Sequence, residues 1–203
     1  MRRLALTALL LGVASPLAAQ AGLEFTPTLG YRFGGTVDGE TGKFSADPNL
    51  AWGATLGLRV KRDGLVEFVY SRQATAIQFD PDTAANLTVG DASIEYFQLG
   101  GALEFGNNEV TKPYFALTAG GTRLAALDRD IGDEWRFSFG AALGLKFFLS
   151  KHVGLRTQAR LWMSTLSSDT DFWCSLPGGC VIVASDGVFF TQGEVSGGVM
   201  LSF

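Results

Sequence analysis

The last eleven residues, Gly193-Glu194-Val195-Ser196-Gly197-Gly198-Val199-Met200-Leu201-Ser202-Phe203, alternate in register up to a terminal aromatic. Counting back from Phe203, apolar or small residues fall at Leu201, Val199, Gly197 and Val195, while Glu194, Ser196, Gly198 and Ser202 occupy the other register. A period of two with one greasy side is a strand with one buried face. What buries that face depends on where the chain goes, and its start carries an address. Met1-Arg2-Arg3 is a positive n-region, Leu4 to Val13 is an apolar run, and Ala14-Ser15-Pro16-Leu17-Ala18-Ala19-Gln20-Ala21 offers cleavage after Ala19 or Ala21. About ten apolar residues cannot cross roughly 30 Å of hydrocarbon as a helix, so an export signal fits and a membrane anchor does not. The expected organisation is a signal peptide over 1–21 and one β-barrel domain over 22–203.

After the signal no apolar run is long enough for a transmembrane helix. The apolar content comes in short alternating blocks, the pattern of membrane strands, and their greasy side is rich in aromatics, which a soluble sandwich would not need facing water. Removing Arg2 and Arg3 takes the formal charge from −4 to −6. Nothing basic is clustered, which argues against nucleic acid as a partner. The 26 glycines would be costly in helices; in a tight barrel they relieve crowding where strands curve and leave room beside large inward side chains.

Eight alternating blocks follow, at about Leu23–Phe33, Leu50–Val60, Leu65–Gln73, Ala92–Phe105, Lys112–Leu124, Trp135–Leu149, Val153–Met163 and the stretch ending at Phe203. Pro27 removes a donor within the first and predicts a bulge or local break there. Thr36 to Asn49, rich in Gly and Asp, reads as a loop, and Ala74 to Gly90 as a longer connection whose ends extend the strands. Asp63-Gly64 is a hairpin signal. The connections run long, short, long, short, long, short, long. The fold class is therefore all-β: a closed eight-stranded antiparallel transmembrane β-barrel, an up-and-down meander with long loops outside and short turns and both termini in the periplasm.

The inward register collects Glu24, Glu67, Glu104 and Glu194 with Arg32, Arg59, Arg136, Lys146, Arg156 and Arg160. An eight-stranded barrel is only wide enough for its own side chains, and buried charges must pair; Arg160 and Glu194, on neighbouring strands, form the expected mid-barrel pair. Inward Tyr96, Trp162, Phe148 and Met200 favour an occluded lumen. The rival is a narrow channel in which charges exchange partners.

Catalysis is not expected. A serine nucleophile needs a positioned base, and the sole histidine, His152, falls in a periplasmic turn, away from Ser164, Ser167, Ser168, Ser175 and Ser185. Asp128-Arg129-Asp130-Ile131-Gly132-Asp133-Glu134 lacks the twelve-residue spacing of a calcium loop, so neither a metal site nor a cofactor is expected. Cys174 and Cys180, five residues apart around Pro177-Gly178-Gly179 in an exported chain, predict a disulfide clipping a loop tip.

Val66-Glu67-Phe68-Val69-Tyr70-Ser71-Arg72-Gln73, Gln98-Leu99-Gly100-Gly101 and Lys112-Pro113-Tyr114-Phe115 resemble strand pieces of the OmpA/OmpW-like superfamily of small outer-membrane barrels. Phe203 with its alternating upstream residues resembles the signal read by the barrel-assembly machinery. The resemblance covers nearly the whole mature chain. It implies residence in the outer membrane of a Gram-negative bacterium, contact with its lipid and lipopolysaccharide, and a structural or surface-interaction role with an extracellular or envelope protein partner. Ser164 to Gly187, with Phe172 and Trp173, would form the recognition surface. A narrow channel for small or hydrophobic solutes and a membrane subunit of an envelope complex are the alternatives. The anchoring role of the soluble peptidoglycan-binding domain of OmpA is not expected.

Overall fold

The computed structural model describes residues 22–39, 42–81, 87–127, 133–165 and 189–203. They form β1 (Leu23–Gly34), β2 (Thr36–Gly39), β3 (Gly42–Ala46), β4 (Asn49–Lys61), β5 (Gly64–Pro81), β6 (Leu87–Glu104), β7 (Thr111–Ala126), β8 (Glu134–Phe148), β9 (Val153–Thr165) and β10 (Phe189–Ser202). Eight of these make the barrel, in the order β4-β1-β10-β9-β8-β7-β6-β5, and the β4–β5 pairing closes it. Every barrel pairing is antiparallel and joins successive barrel strands, β2 and β3 falling between β1 and β4, or, for β1 with β10, the first and the last. The terminal alternation thus becomes the closing seam, with Phe25 opposite Leu201 and Arg32 opposite Glu194. Closure satisfies the backbone of every barrel strand within the wall, which a sheet surrounded by hydrocarbon requires.

Residue parity decides which side meets lipid. Leu29 is 61% exposed and Leu143 65% exposed on the outer wall, whereas Arg32 and Lys146 are fully buried within. A water-soluble fold places such residues the other way round; this barrel is a transmembrane one. Its exterior carries an aromatic row across four strands, Trp52–Tyr70–Phe97–Trp135, with ring centroids 5.8, 5.0 and 5.5 Å apart. Amphipathic rings of this kind suit a membrane–water interface.

Three sequence expectations need correction or refinement. Thr36 to Asn49 is not simply a loop: β2 and β3 form a hairpin, and β3 pairs with the far end of β5, from Gly42 opposite Pro81 to Ala46 opposite Ile77. Much of the Ala74–Gly90 connection is strand, since β5 and β6 each run 18 residues, more than the 9–11 or so that cross a bilayer. They rise beyond the membrane as a ribbon that β3 flanks. At Pro27 the expected local break is present, without a bulge. β1 keeps one register, and its ladder to β10 simply lacks the Thr26 and Pro27 pairs. The Pro27 carbonyl lies so close to Gly198 that a Cβ there would sit 2.0 Å from it.

Residues 1–21, carrying the expected signal peptide, lie outside the described residues, as do Phe172, Trp173, Cys174 and Cys180. The disulfide expected between Cys174 and Cys180 therefore falls outside the described residues, among which there is none.

Candidate functional site in the lumen

Inward parity on all eight barrel strands gathers the charged residues into stacked layers. Nearest the short turns, Glu24 on β1 and Glu104 on β6 face Arg59 on β4 and Lys146 on β8. Lys146 Nζ donates to Glu24 at 2.6 Å and to Glu104 at 2.8 Å. Arg59 donates to Glu24 and, through both terminal nitrogens, to Glu104 at 2.9 and 3.1 Å. Lys112 adds a contact to Glu104 at 3.4 Å from the mouth. Two carboxylates, the buried Lys146 and the half-buried Arg59 therefore neutralise one another, which is what a low-dielectric interior demands.

The next layer is the bidentate pair of Arg156 on β9 with Glu67 on β5, at 2.7 and 3.0 Å. Arg156 Nε donates to the Tyr114 hydroxyl at 2.7 Å, and Tyr114 donates on to Gln158 at 2.8 Å. Gln158 in turn donates to Ser196 at 3.1 Å. Both acidic oxygens and three guanidinium donors are used, so this pair is held in one geometry.

Further up, Glu194 is flanked in register by Arg32 on β1 and Arg160 on β9. The expected Arg160–Glu194 pair does not form. Four donors converge on Glu194 Oε2 instead: Arg32 Nε at 3.0 Å, Arg32 Nη2 at 2.8 Å, Ser71 Oγ at 3.1 Å and the Trp162 indole at 3.1 Å. Trp162 is the reason. It stacks on Tyr96, centroids 4.3 Å apart at 15°, with Arg32 4.9 Å above the Tyr96 ring. That aromatic sandwich clamps Arg32 on the carboxylate, while Arg160, 4.9 Å from the Trp162 ring, turns toward Gln158 and Thr118. Tyr96, Gln192 and Gln73 complete the layer with hydrogen bonds of 3.0 and 3.2 Å. Above it Val69, Ile94, Leu124 and Ala46 close an apolar cluster around Tyr96 and Trp162.

Arg136 stands apart from these layers. It lies near the long-connection end of β8 and pairs with Glu134 two residues before it. Of the expected bulky blockers, Tyr96, Trp162 and Met200 are fully buried, whereas Phe148 sits at the short-turn mouth beside Lys112. Around that mouth Gly22, Glu24, Arg59, Glu109, Lys151 and Phe203 line a recess of about 290 Å³. Its wall includes Glu24 and Arg59 of the first charged layer.

The sequence reading did not single out the neutral half of this network: Gln73, Gln98, Gln158, Gln192, Thr118 and Tyr114. Their inward parity was the available signal. It also passed over an outward cluster, where Glu95 on β6 sits between Arg72 on β5 and Arg123 on β7, at 3.5 and 3.2 Å, with Asp133 on Arg123 at 2.6 Å. These residues share the outer face with Tyr70, two positions before Arg72, and Phe97, two positions after Glu95.

His152 lies in the β8–β9 turn, its ring 3.1 Å from the Ser202 carbonyl. Ser164, hydrogen-bonded to Thr122, is at the opposite end of β9, about 40 Å away at the rise of a strand. No Ser–His dyad joins these two. Ser167, Ser168, Ser175 and Ser185 lie outside the described residues, as do Asp128 and Asp130.

No protein-family model matches the chain, and no curated protein matches it in sequence. Solved structures do. Neisserial surface protein A superposes with a TM-score of 0.59 at 15% identity, covering 89% of this chain and 97% of that one. The outer membrane protein OprG from Pseudomonas aeruginosa gives 0.59 at 13% identity, over 90% and 96%. The N-terminal β-barrel domain of Pseudomonas aeruginosa OprF gives 0.52 at 12%, over 90% and 98%. At such identities the likeness is one of fold: an eight-stranded outer-membrane barrel.

Proposed function

We propose that this chain is exported by a signal peptide over 1–21, matures to the barrel domain over 22–203, and resides in the outer membrane of a Gram-negative bacterium as a member of the OmpA/OmpW-like group of small barrels. Its role there is structural and surface-interacting. Outer-membrane lipid and lipopolysaccharide surround it, the barrel-assembly machinery inserts it through the Phe203 strand, and the long connections present its surface to an extracellular or envelope protein.

The observation that carries this reading is the filled lumen. Three paired layers, a stacked Tyr96–Trp162 sandwich and an apolar cap occupy the barrel from the mouth to the base of the long connections. An eight-stranded barrel is only about wide enough for its own side chains to fill, which supports an occluded lumen. Planar-bilayer recording tests it. The wild-type barrel should give no persistent ohmic step, and Trp162→Ala, which removes the largest buried side chain, should give brief openings. Stable ohmic currents from the wild type, abolished by lumenal substitutions, would replace the plug with a narrow solute channel.

A further inference from the structure

Every lumenal carboxylate already holds a cation: Glu24 and Glu104 hold Lys146 and Arg59, Glu67 holds Arg156, and Glu194 holds Arg32. Arg160 is left over. It is 3% exposed, and no carboxylate of the described residues lies within ion-pair distance of it. Its two terminal nitrogens make long contacts to neutral oxygens, 3.3 Å to Thr118 and 3.4 Å to Gln158, and its Nε–H has no partner at all. Guanidinium does not deprotonate in proteins, so a full positive charge with an idle donor is enclosed by a wall that is itself enclosed by lipid. An isolated buried charge costs far more than the contacts seen here return.

The surroundings of that charge are not apolar. Thr118 donates to Gln98 at 2.5 Å, and Gln98 donates to Ser138 at 3.0 Å. The fully buried Ser138 hydroxyl accepts that bond and donates to none of the described residues, and Ser196, which accepts from Gln158, is in the same position. Gly140 makes the arrangement possible, because a Cβ there would fall 2.4 Å from Gln98 Oε1, 2.5 Å from Thr118 Oγ1 and 3.4 Å from Arg160 Nη1. Arg160 is thus a buried cation with no carboxylate of its own, faced by the Trp162 ring 4.9 Å away, and it carries an unused N–H, a donor that suits a small anion.

We propose that the Arg160 layer is a binding site for a small monovalent anion of chloride size, held by the charge and the Nε–H of Arg160 between the Glu67–Arg156 and Arg32–Glu194 layers. It goes beyond the plugged-barrel reading and does not depend on it, since a conducting lumen would carry the same site.

Bromide serves as the probe. Crystals of the refolded barrel grown in sodium bromide, measured at the bromine edge, should show an anomalous peak within hydrogen-bonding distance of Arg160 Nε, absent in Arg160→Gln. In solution, urea unfolding at fixed ionic strength should show the wild type gaining stability as chloride replaces gluconate. Each tenfold rise in chloride above its dissociation constant multiplies the folded-to-unfolded ratio by about ten. Arg160→Gln should be indifferent to the exchange. If Arg160→Gln does not fold, Arg160→Lys, which keeps the charge, should keep the chloride dependence. An ordered water at Nε with no bromine signal, a peak that survives in Arg160→Gln, or a wild type insensitive to chloride would each overturn the site. Bilayer conductance reads the plug separately, so either idea can fail alone.

Discussion

Arg156 and Glu67 are both buried and bonded through two parallel hydrogen bonds. Removing one partner leaves the other charge stranded, so Glu67→Gln should cost about 3–5 kcal/mol of unfolding free energy. Replacing both with uncharged groups of similar volume, Glu67→Gln with Arg156→Met, should cost clearly less than the single change, because nothing charged is left behind. Urea titration of the refolded barrel in lipid vesicles measures both. A double variant no better than the single one would mean that the pair, and not the avoidance of a lone charge, holds the layer. Trp162→Phe separates the two jobs of the indole. The ring can still stack on Tyr96, but the 3.1 Å bond to Glu194 is lost, and about 1.5–3 kcal/mol should go with it, as for a hydrogen bond to a charged group.

At the scale of the strands, the wall curves tightly where an inward glycine meets a neighbour's carbonyl. A Cβ on Gly100 would lie 2.0 Å from the Leu117 carbonyl oxygen of β7, while one on the adjacent, outward Gly101 would meet nothing closer than 3.6 Å. Gly100→Ala should therefore force β6 and β7 apart and destabilise by at least about 1–3 kcal/mol, and Gly101→Ala should be nearly silent. The fraction of folded barrel on an unheated denaturing gel reads the difference; equal yields would mean that the wall flexes there. This glycine logic also explains how much of the fold was legible. β8 could be read directly because Trp135 to Phe147 alternates without interruption. β2 and β3 could not: each is short and offers one large apolar side chain, Val37 or Phe44, in a Gly- and Asp-rich stretch, and their pairing is decided by the far end of β5. Parity likewise placed the lumenal charges, but parity is blind to which of two flanking arginines wins Glu194. That choice rests on Trp162, two residues beyond Arg160 on β9, and on Tyr96 from β6, which stack within the lumen.

For the whole molecule the decisive property is inversion, with charge inside and hydrocarbon outside. Leu143 stands near the middle of β8, fully in the outer register and 65% exposed. If the exterior met water, Leu143→Arg would be nearly neutral, since no side chain packs over that position and arginine is a good surface residue. In a bilayer the same change puts a guanidinium at the hydrocarbon midplane and should cost about 2–4 kcal/mol, whereas Leu149→Arg, in the short turn after β8, should cost at most about 1 kcal/mol. Both variants leave every lumenal layer untouched, so the comparison isolates the solvent of the outer wall from the pairing within it. Unfolding titrations in lipid vesicles give the two numbers. Equal costs at Leu143 and Leu149 would show that the outer face is not buried in acyl chains, and the inward gathering of ten charged side chains would then have lost its physical cause.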